Sequence, residues 1–456
     1  MQLPKLRLGF VGFGEVNTPR EVIERKCQGA RAALEERGID LVYTDPVNDA
    51  PDGEQLARAR AELAGQPFDA LVACIAGWIP SQPVVDLLSD FAHLPIVLWG
   101  LSGWMEGSRY VTTADQAGTS ALRDPLEALG FRFKYVYQFA DQPPFASADQ
   151  VAAFASVARA TRLLRSARVG MVGYRDMNLY GTLVDQLSLR RQIGPEIESF
   201  DLLELVQRLP SLPQDEVSTL IADIQANWSF PEPVPTTTLD LGVRLYLAIM
   251  EKVKLRHYQA ISLVDVYGIK KLLSFPPAMV LQLLTDKGDV AAIPENDGLG
   301  AVTQLIVRYL TGQVGAYFEF YDYLSDRLLV GVPDFVPEEV TQDGLKLIPW
   351  PQFGGFTSGL LNVSQVRPGR VTLCRLGNRG SRFWLHAVTG EAVPPRDWAE
   401  CGWAEPAPHL PSLEVILDTP VDDFAQKVLS EHYILAYGDI RPQLADFCRL
   451  LGIEMA

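Results

Sequence analysis

Ala291-Ala-Ile-Pro-Glu295-Asn296-Asp297-Gly-Leu299-Gly-Ala-Val-Thr-Gln-Leu-Ile-Val-Arg-Tyr-Leu310-Thr-Gly312 runs on through Gln-Val-Gly-Ala-Tyr317-Phe-Glu319-Phe320. Apolar residues recur at helical spacing from Leu299 to Leu310, and Thr311-Gly312 closes the segment. The short apolar run before Glu295 reads as a strand, and Val314 to Phe320 reads as another that carries Glu319 near its end. Strand, helix and strand in this order predict a βαβ unit, whose strands usually lie close in one sheet and bind ligands at their carboxyl ends. Glu295 and Glu319 are therefore expected at one cleft, where two carboxylates suit a divalent cation.

The same alternation fills the preceding chain. Leu8 to Val11, Asp40 to Tyr43, Ala70 to Ala73 and Ile96 to Trp99 are short continuous apolar runs separated by helix-like stretches, the pattern of strands covered on both faces. A second cycle starts at Arg168 and continues through Ile197 to Asp201, Ala260 to Val264 and Ala291 to Ile293. Beyond Val314, short β-rich runs between Pro and Gly predict a mostly antiparallel region, finished by a helix, a strand and a last helix. The fold class expected is α/β: two Rossmann-like parallel-sheet domains, 1–165 and 166–313, then a β-rich C-terminal domain, 314–456.

Composition narrows the functions. A chain of 456 residues with 48% hydrophobic content exceeds one core and predicts two or three domains. Its 40 basic and 56 acidic residues give a net charge of −16, which argues against nucleic acid as a partner. No apolar stretch approaches the ~20 residues of a membrane span, and the first residues lack a signal-peptide pattern, so a cytoplasmic location is expected. Cys27, Cys74, Cys374, Cys401 and Cys448 show no C-x-x-C pairing and read as buried thiols.

Each candidate also has an ordinary structural reading. Asn296 and Asp297 are common helix caps, and Glu295 suits the positive end of a helix. Glu319 shares a strand face with Tyr317 and Tyr321, and that face is solvated in the ordinary reading; Asp322 rivals it as the second carboxylate. His432 opens the apolar run Tyr433 to Tyr437, and a lone histidine is commonly a hydrogen-bonded structural residue as well as a versatile metal ligand. His93, His257, His386 and His409 show no metal-ligand spacing. Gly9-Phe-Val-Gly12-Phe-Gly14 lacks dinucleotide-loop spacing and reads as a strand-to-helix turn. Trp78, at a strand end, is placed to stack on a sugar or to pack in the core. Met177 and Asn178, at a helix start, are placed to line a polyol pocket or to cap that helix. Lys270 and Lys271 divide between solvent and substrate contact.

Glu295-Asn-Asp-x-Leu, Leu310-Thr-Gly and Glu319 together resemble the E-N-D, L-T-G and D pattern of the L-fucose isomerases, and His432 in His-Tyr-Ile-Leu-Ala-Tyr-Gly-Asp resembles their C-terminal metal-binding histidine. The order of two α/β regions and a β-rich region is similar too. The resemblance implies that Glu295, Glu319 and His432 bind Mn²⁺ or another divalent cation such as Mg²⁺, and that the two glutamates act as acid and base. Glu319 stands where the fucose isomerases have Asp, and is the residue type of the related L-arabinose isomerases. Their second, downstream histidine has no counterpart in Leu329-Val-Gly-Val-Pro-Asp-Phe335. The resemblance also implies a sugar substrate and a homo-oligomer, hexamer or trimer.

Aldose–ketose interconversion removes a proton beside a carbonyl and returns it to the neighbouring carbon through an enediolate. Two carboxylates can exchange the protons while a cation polarises the oxygens. A sugar-binding protein without turnover and a nicotinamide-dependent oxidoreductase are the rival classes; the glycine spacing disfavours the latter.

Overall fold

The apolar runs near the N-terminus form one five-stranded sheet made of β1 (Arg7–Phe13), β2 (Asp40–Tyr43), β3 (Ala70–Ile75), β4 (Ile96–Gly100) and β7 (Phe133–Tyr137). Between the last two, β5 (Trp104–Glu106) and β6 (Arg109–Val111) pair as a small hairpin. The sheet is parallel throughout, in the doubly wound order β2-β1-β3-β4-β7. All of β3 and β4 is buried, which is why these strands are continuously apolar rather than alternating. A Cβ on Gly12 would come within 2.2 Å of Cys27 Sγ, so the glycine allows the Arg20–Glu36 helix to close on β1. The glycine run is a packing device at a strand-to-helix turn. In the computed structural model, residues 3–332, 334–349, 358–396 and 410–456 are described, and the chain divides into a unit ending at Arg162 and a unit Leu163–Ala456.

The second unit holds two sheets. One is parallel, β11-β10-β8-β9, made of β8 (Arg168–Val172), β9 (Glu196–Phe200), β10 (Ala260–Leu263) and β11 (Ala291–Ile293). The other uses β12 (Ala316–Tyr323), β13 (Arg327–Gly331), β16 (Gly369–Arg379), β17 (Arg382–Val393), β18 (Ser412–Leu417) and β19 (His432–Tyr437). These run antiparallel in the order β16-β19-β12-β13-β18-β17, and β16 pairs again with β17, closing a barrel. Closure leaves few unpaired strand edges, and β20 (Glu454–Met455) adds to β17 in parallel. A separate two-stranded piece joins β14 (Leu347–Pro349) to β15 (Leu360–Asn362). The fold class is thus the expected one: parallel α/β sheets followed by a β-rich region.

The βαβ expectation for the central stretch needs correction. β11 lies in the parallel sheet, but β12 lies in the barrel, where its partners are the antiparallel β13 and β19. The reason is the Gly298–Thr311 helix between them. Every residue from Gly298 to Leu310 is buried, because the helix contacts β10 and β11 on one side and β16 and β19 on the other. A helix buried on every side is an inner layer, not an outer crossover. It carries the chain from one sheet to the other.

Cys27, Cys74, Cys374 and Cys448 are buried and unbridged, as expected; Cys401 and His409 lie outside the described residues. No helix among the described residues is long and apolar enough to cross a membrane.

Candidate active site

Glu295 sits in a strained turn between β11 and the buried helix. Both Glu295 (φ 62°) and Asn296 (φ 53°) adopt the left-handed conformation, which costs a non-glycine residue roughly 1–3 kcal/mol. The turn is over-determined by its contacts. The Glu295 N–H donates to Asp265 Oδ1 at 2.9 Å, and the Asn296 N–H donates to the Leu263 carbonyl at 2.8 Å. The Asn296 amide donates to the carbonyls of Val172 and Tyr174 at 3.2 and 2.6 Å. Four such bonds at about 1 kcal/mol each offset the strain. Asp297 caps the helix by accepting from the Gly300 N–H at 2.8 Å, as its residue type predicts. It does more than cap: Arg375, fully buried on β16, forks its two terminal guanidinium nitrogens onto the carboxylate, and Tyr317 donates to it at 2.8 Å.

Glu319 and His432 are placed by strand register. They are directly opposite each other on β12 and β19, so their side chains share one face. Tyr317, two residues earlier on that face, stacks on the His432 ring with centroids 4.4 Å apart and planes 13° from parallel. The tyrosine thereby connects the Asp297–Arg375 pair to the imidazole.

His432 stands between the two glutamates. His432 Nδ1 lies 3.5 Å from Glu295 Oε2, and His432 Nε2 lies 3.5 Å from Glu319 Oε2. Their side chains are 4, 12 and 21% exposed for His432, Glu295 and Glu319. Burial pushes the Glu295 carboxyl up to about 8 against the opposing pull of His432. Burial would lower His432, but the Glu295 charge, with the facing carboxylates of Glu319 and Glu431, outweighs it and raises the imidazole to about 10.

The contacts of 3.5 Å are longer than a good hydrogen bond. Glu295 Oε2, Glu319 Oε1 and His432 Nδ1 are buried without a hydrogen-bond partner, an arrangement that costs about 1–3 kcal/mol per atom. Unpartnered carboxylate and imidazole atoms on the Nδ1 side of the ring fit a cation site, since carboxylates with one imidazole suit a hard divalent ion. Glu431 joins the cluster: one ligand atom each from Glu295, Glu431 and His432 lie within 4.8 Å of one another. The imidazole faces Glu295 and Glu431 through Nδ1 and Glu319 through Nε2.

The other sequence candidates divide. Asp322 is exposed beyond a register shift in β12 and accepts from the Tyr323 N–H, so it does not rival Glu319. Met177 and Asn178 form a short helical turn after β8 with left-handed backbone. Trp78, 40% exposed, follows β3 in the unit ending at Arg162. Lys271 lies over the Tyr267 ring, whereas Lys270 is buried between Asp265 and Asp334. Sequence reasoning missed Glu431, whose signal was its place beside His432. It also missed Asp265, Asp334 and Arg375, which only the fold brings to the site.

The chain is similar to sugar isomerases at low identity. It is 24% identical over 286 residues to an L-arabinose isomerase of Shouchella clausii (strain KSM-K16), covering 59% of this chain and 56% of that protein. It is 20% identical over 419 residues to a sulfoquinovose isomerase of Priestia aryabhattai, covering 88% of each. The chain thus matches little more than half the length of the arabinose isomerase. No protein-family model matches. Among solved structures, a periplasmic solute binding protein from Actinobacillus succinogenes 130z with bound D-allose aligns at 14% identity over 73% of this chain and 95% of that chain, with a TM-score of 0.19. A carbohydrate transporter from Acidothermus cellulolyticus 11B in complex with myo-inositol aligns at 16% identity over 68% and 89%, with the same score. Scores this low carry no argument about fold or ligand.

Proposed function

We propose that this chain is a metal-dependent aldose–ketose isomerase acting on a free sugar or sugar derivative. The observation that carries the reading is the buried His432 held between Glu295 and Glu319, with one polar atom of each of the three left without a hydrogen-bond partner and Glu431 beside the imidazole. Distant similarity to isomerases of L-arabinose and sulfoquinovose supports it. Glu295, Glu319 and His432 would hold a divalent cation, Mn²⁺ or Mg²⁺, with Glu431 at its margin. When bound, the cation supplies Lewis-acid polarisation of a sugar carbonyl.

The chain's own residues do the proton chemistry. One glutamate takes the proton from the carbon beside the carbonyl while the other protonates the carbonyl oxygen; the first then gives its proton to the former carbonyl carbon while the second takes the proton of the adjacent hydroxyl, which leaves the ketose and restores both groups. Glu295 and Glu319 lie on either side of His432, which places one carboxylate at each side of the imidazole. Tyr317 keeps the His432 ring fixed by stacking, and the Arg375–Asp297 pair fixes Tyr317. We further propose a cytoplasmic homo-oligomer.

The test is conversion of L-arabinose, L-fucose and sulfoquinovose to their ketoses with Mn²⁺, using wild type, Glu295→Gln and Glu319→Gln. The reading predicts metal-dependent turnover in wild type alone. Sugar binding with no turnover at any metal concentration would contradict it.

A further inference from the structure

The buried trio Lys270, Asp265 and Asp334 lies behind the site and takes no part in the chemistry above. Lys270 Nζ is 2.9 Å from Asp265 Oδ2 and 3.3 Å from Asp334 Oδ1, and both aspartates are almost fully buried. The three come from two different sheets. Asp265 and Lys270 begin and end one turn of π-helix, Asp265–Lys270, after β10 of the parallel sheet. Such a turn spaces its bonds five residues apart and brings Lys270 back over Asp265; π turns are frequent at functional sites. Asp334 lies just past β13 of the barrel, the strand whose Gly331 is registered opposite Glu319.

Each arm of the trio therefore ends beside one half of the site. On the parallel-sheet side, Asp265 Oδ1 accepts from the Glu295 N–H at 2.9 Å. Asp176, also fully buried, anchors the same π turn by accepting from the N–H groups of Val266 and Tyr267 at 2.7 and 2.8 Å. On the barrel side, Asp334 follows the strand hydrogen-bonded to the one bearing Glu319. Structural bonding alone leaves a choice between a charge-balancing ion pair and one that sets the distance between the halves. Its position decides: a buried ion pair contributes little net stability over an apolar replacement, yet here it joins the turn after β10, bonded to the Glu295 backbone, to the segment after β13, the strand paired with that of Glu319.

We propose that Lys270 is a positioning residue that clamps the parallel sheet to the barrel through Asp265 and Asp334, and so sets the separation of Glu295 from Glu319 and His432. The inference rests on the isomerase reading for its purpose, but its geometry is testable without any metal. Removing Lys270 leaves two carboxylates facing each other without a cation, which risks unfolding. Asp334→Asn is the safer variant, since it is isosteric and releases only the barrel arm.

The experiment uses the full-length chain, wild type, Asp334→Asn and Lys270→Met, with two readouts. Amide hydrogen exchange at Glu295 is measured in chelator-treated protein, and Mn²⁺ affinity is measured by calorimetry. We expect Asp334→Asn to speed exchange at Glu295 about 10-fold while amides of β16 are unchanged, and to weaken Mn²⁺ binding by about 10-fold, the usual cost of losing an outer-shell partner. Lys270→Met, if folded, is expected to do the same or more. Wild-type exchange and wild-type Mn²⁺ affinity in Asp334→Asn would overturn the clamp. Absence of Mn²⁺ binding in wild type would overturn the metal reading instead, with the exchange result still judging the clamp.

Discussion

The two halves of the site are built in opposite ways. Glu319 and His432 are presented by a regular antiparallel ladder, where register alone puts them face to face. Glu295 is presented by a left-handed turn that needs Asp265, Asn296 and three carbonyl acceptors to hold it. A ladder places a side chain by repeating geometry and tolerates local change. A strained turn places it by specific bonds, and fails when they go. The difference teaches where the site is fragile: at Glu295, not at the barrel.

The largest effect should come from the acids themselves. Glu295→Gln and Glu319→Gln are each expected to lower kcat about 10²–10⁴-fold in a Mn²⁺-supported ketose assay, because each loses a proton-exchanging group. Near-wild-type turnover in either would remove that residue from the chemistry. Arg375→Met joins the halves in one test, since it strips a buried Asp297 of its cation. A loss of about 3–5 kcal/mol is expected in urea denaturation, and a smaller change would mean that Tyr317 and the helix amides suffice for Asp297.

Asn296→Ala tests the turn alone. It leaves the Val172 and Tyr174 carbonyls without their side-chain donor, and about 2 kcal/mol of stability should go with a sharp fall in kcat. Asn378→Ala, on the barrel, removes an exposed bond to the Gly380 carbonyl and should change neither.

The smallest effect is a pH dependence confined to the barrel. Burial pushes His386 on β17 down to about 4, with its Nδ1 at 2.7 Å from the Tyr433 hydroxyl. The unfolded chain, with an ordinary imidazole near 6.5, binds more protons than the folded one between those values. Stability from this group is therefore full above about 6.5 and is lost as pH falls toward about 4. Denaturation at pH 7.5 and 5.0 should show a smaller pH loss for His386→Gln than for wild type.

The same contrast explains what could be read from the chain. Helical spacing, the Asp297 cap and the Thr311-Gly312 stop located the central helix, whose bounds are Gly298–Thr311. The strand carrying Glu319 was legible from its apolar run, yet its sheet was not. Placing β12 in the barrel depends on how a fully buried helix is sandwiched between sheets, and a local pattern holds no record of that. Glu295, Glu319 and His432 were visible through a short motif. Asp265, Lys270, Asp334 and Arg375 were not, since a buried ion pair leaves no periodicity and its partners are distant in sequence. Glu431 was visible only as a neighbour of His432.

The most direct test of the central claim is a calorimetric Mn²⁺ titration of wild type, Glu295→Gln, Glu319→Gln and His432→Gln. The account predicts one ion per chain in wild type, with affinity reduced at least about 10-fold in each variant. Undiminished binding in Glu319→Gln, or no saturable binding in wild type, would contradict it.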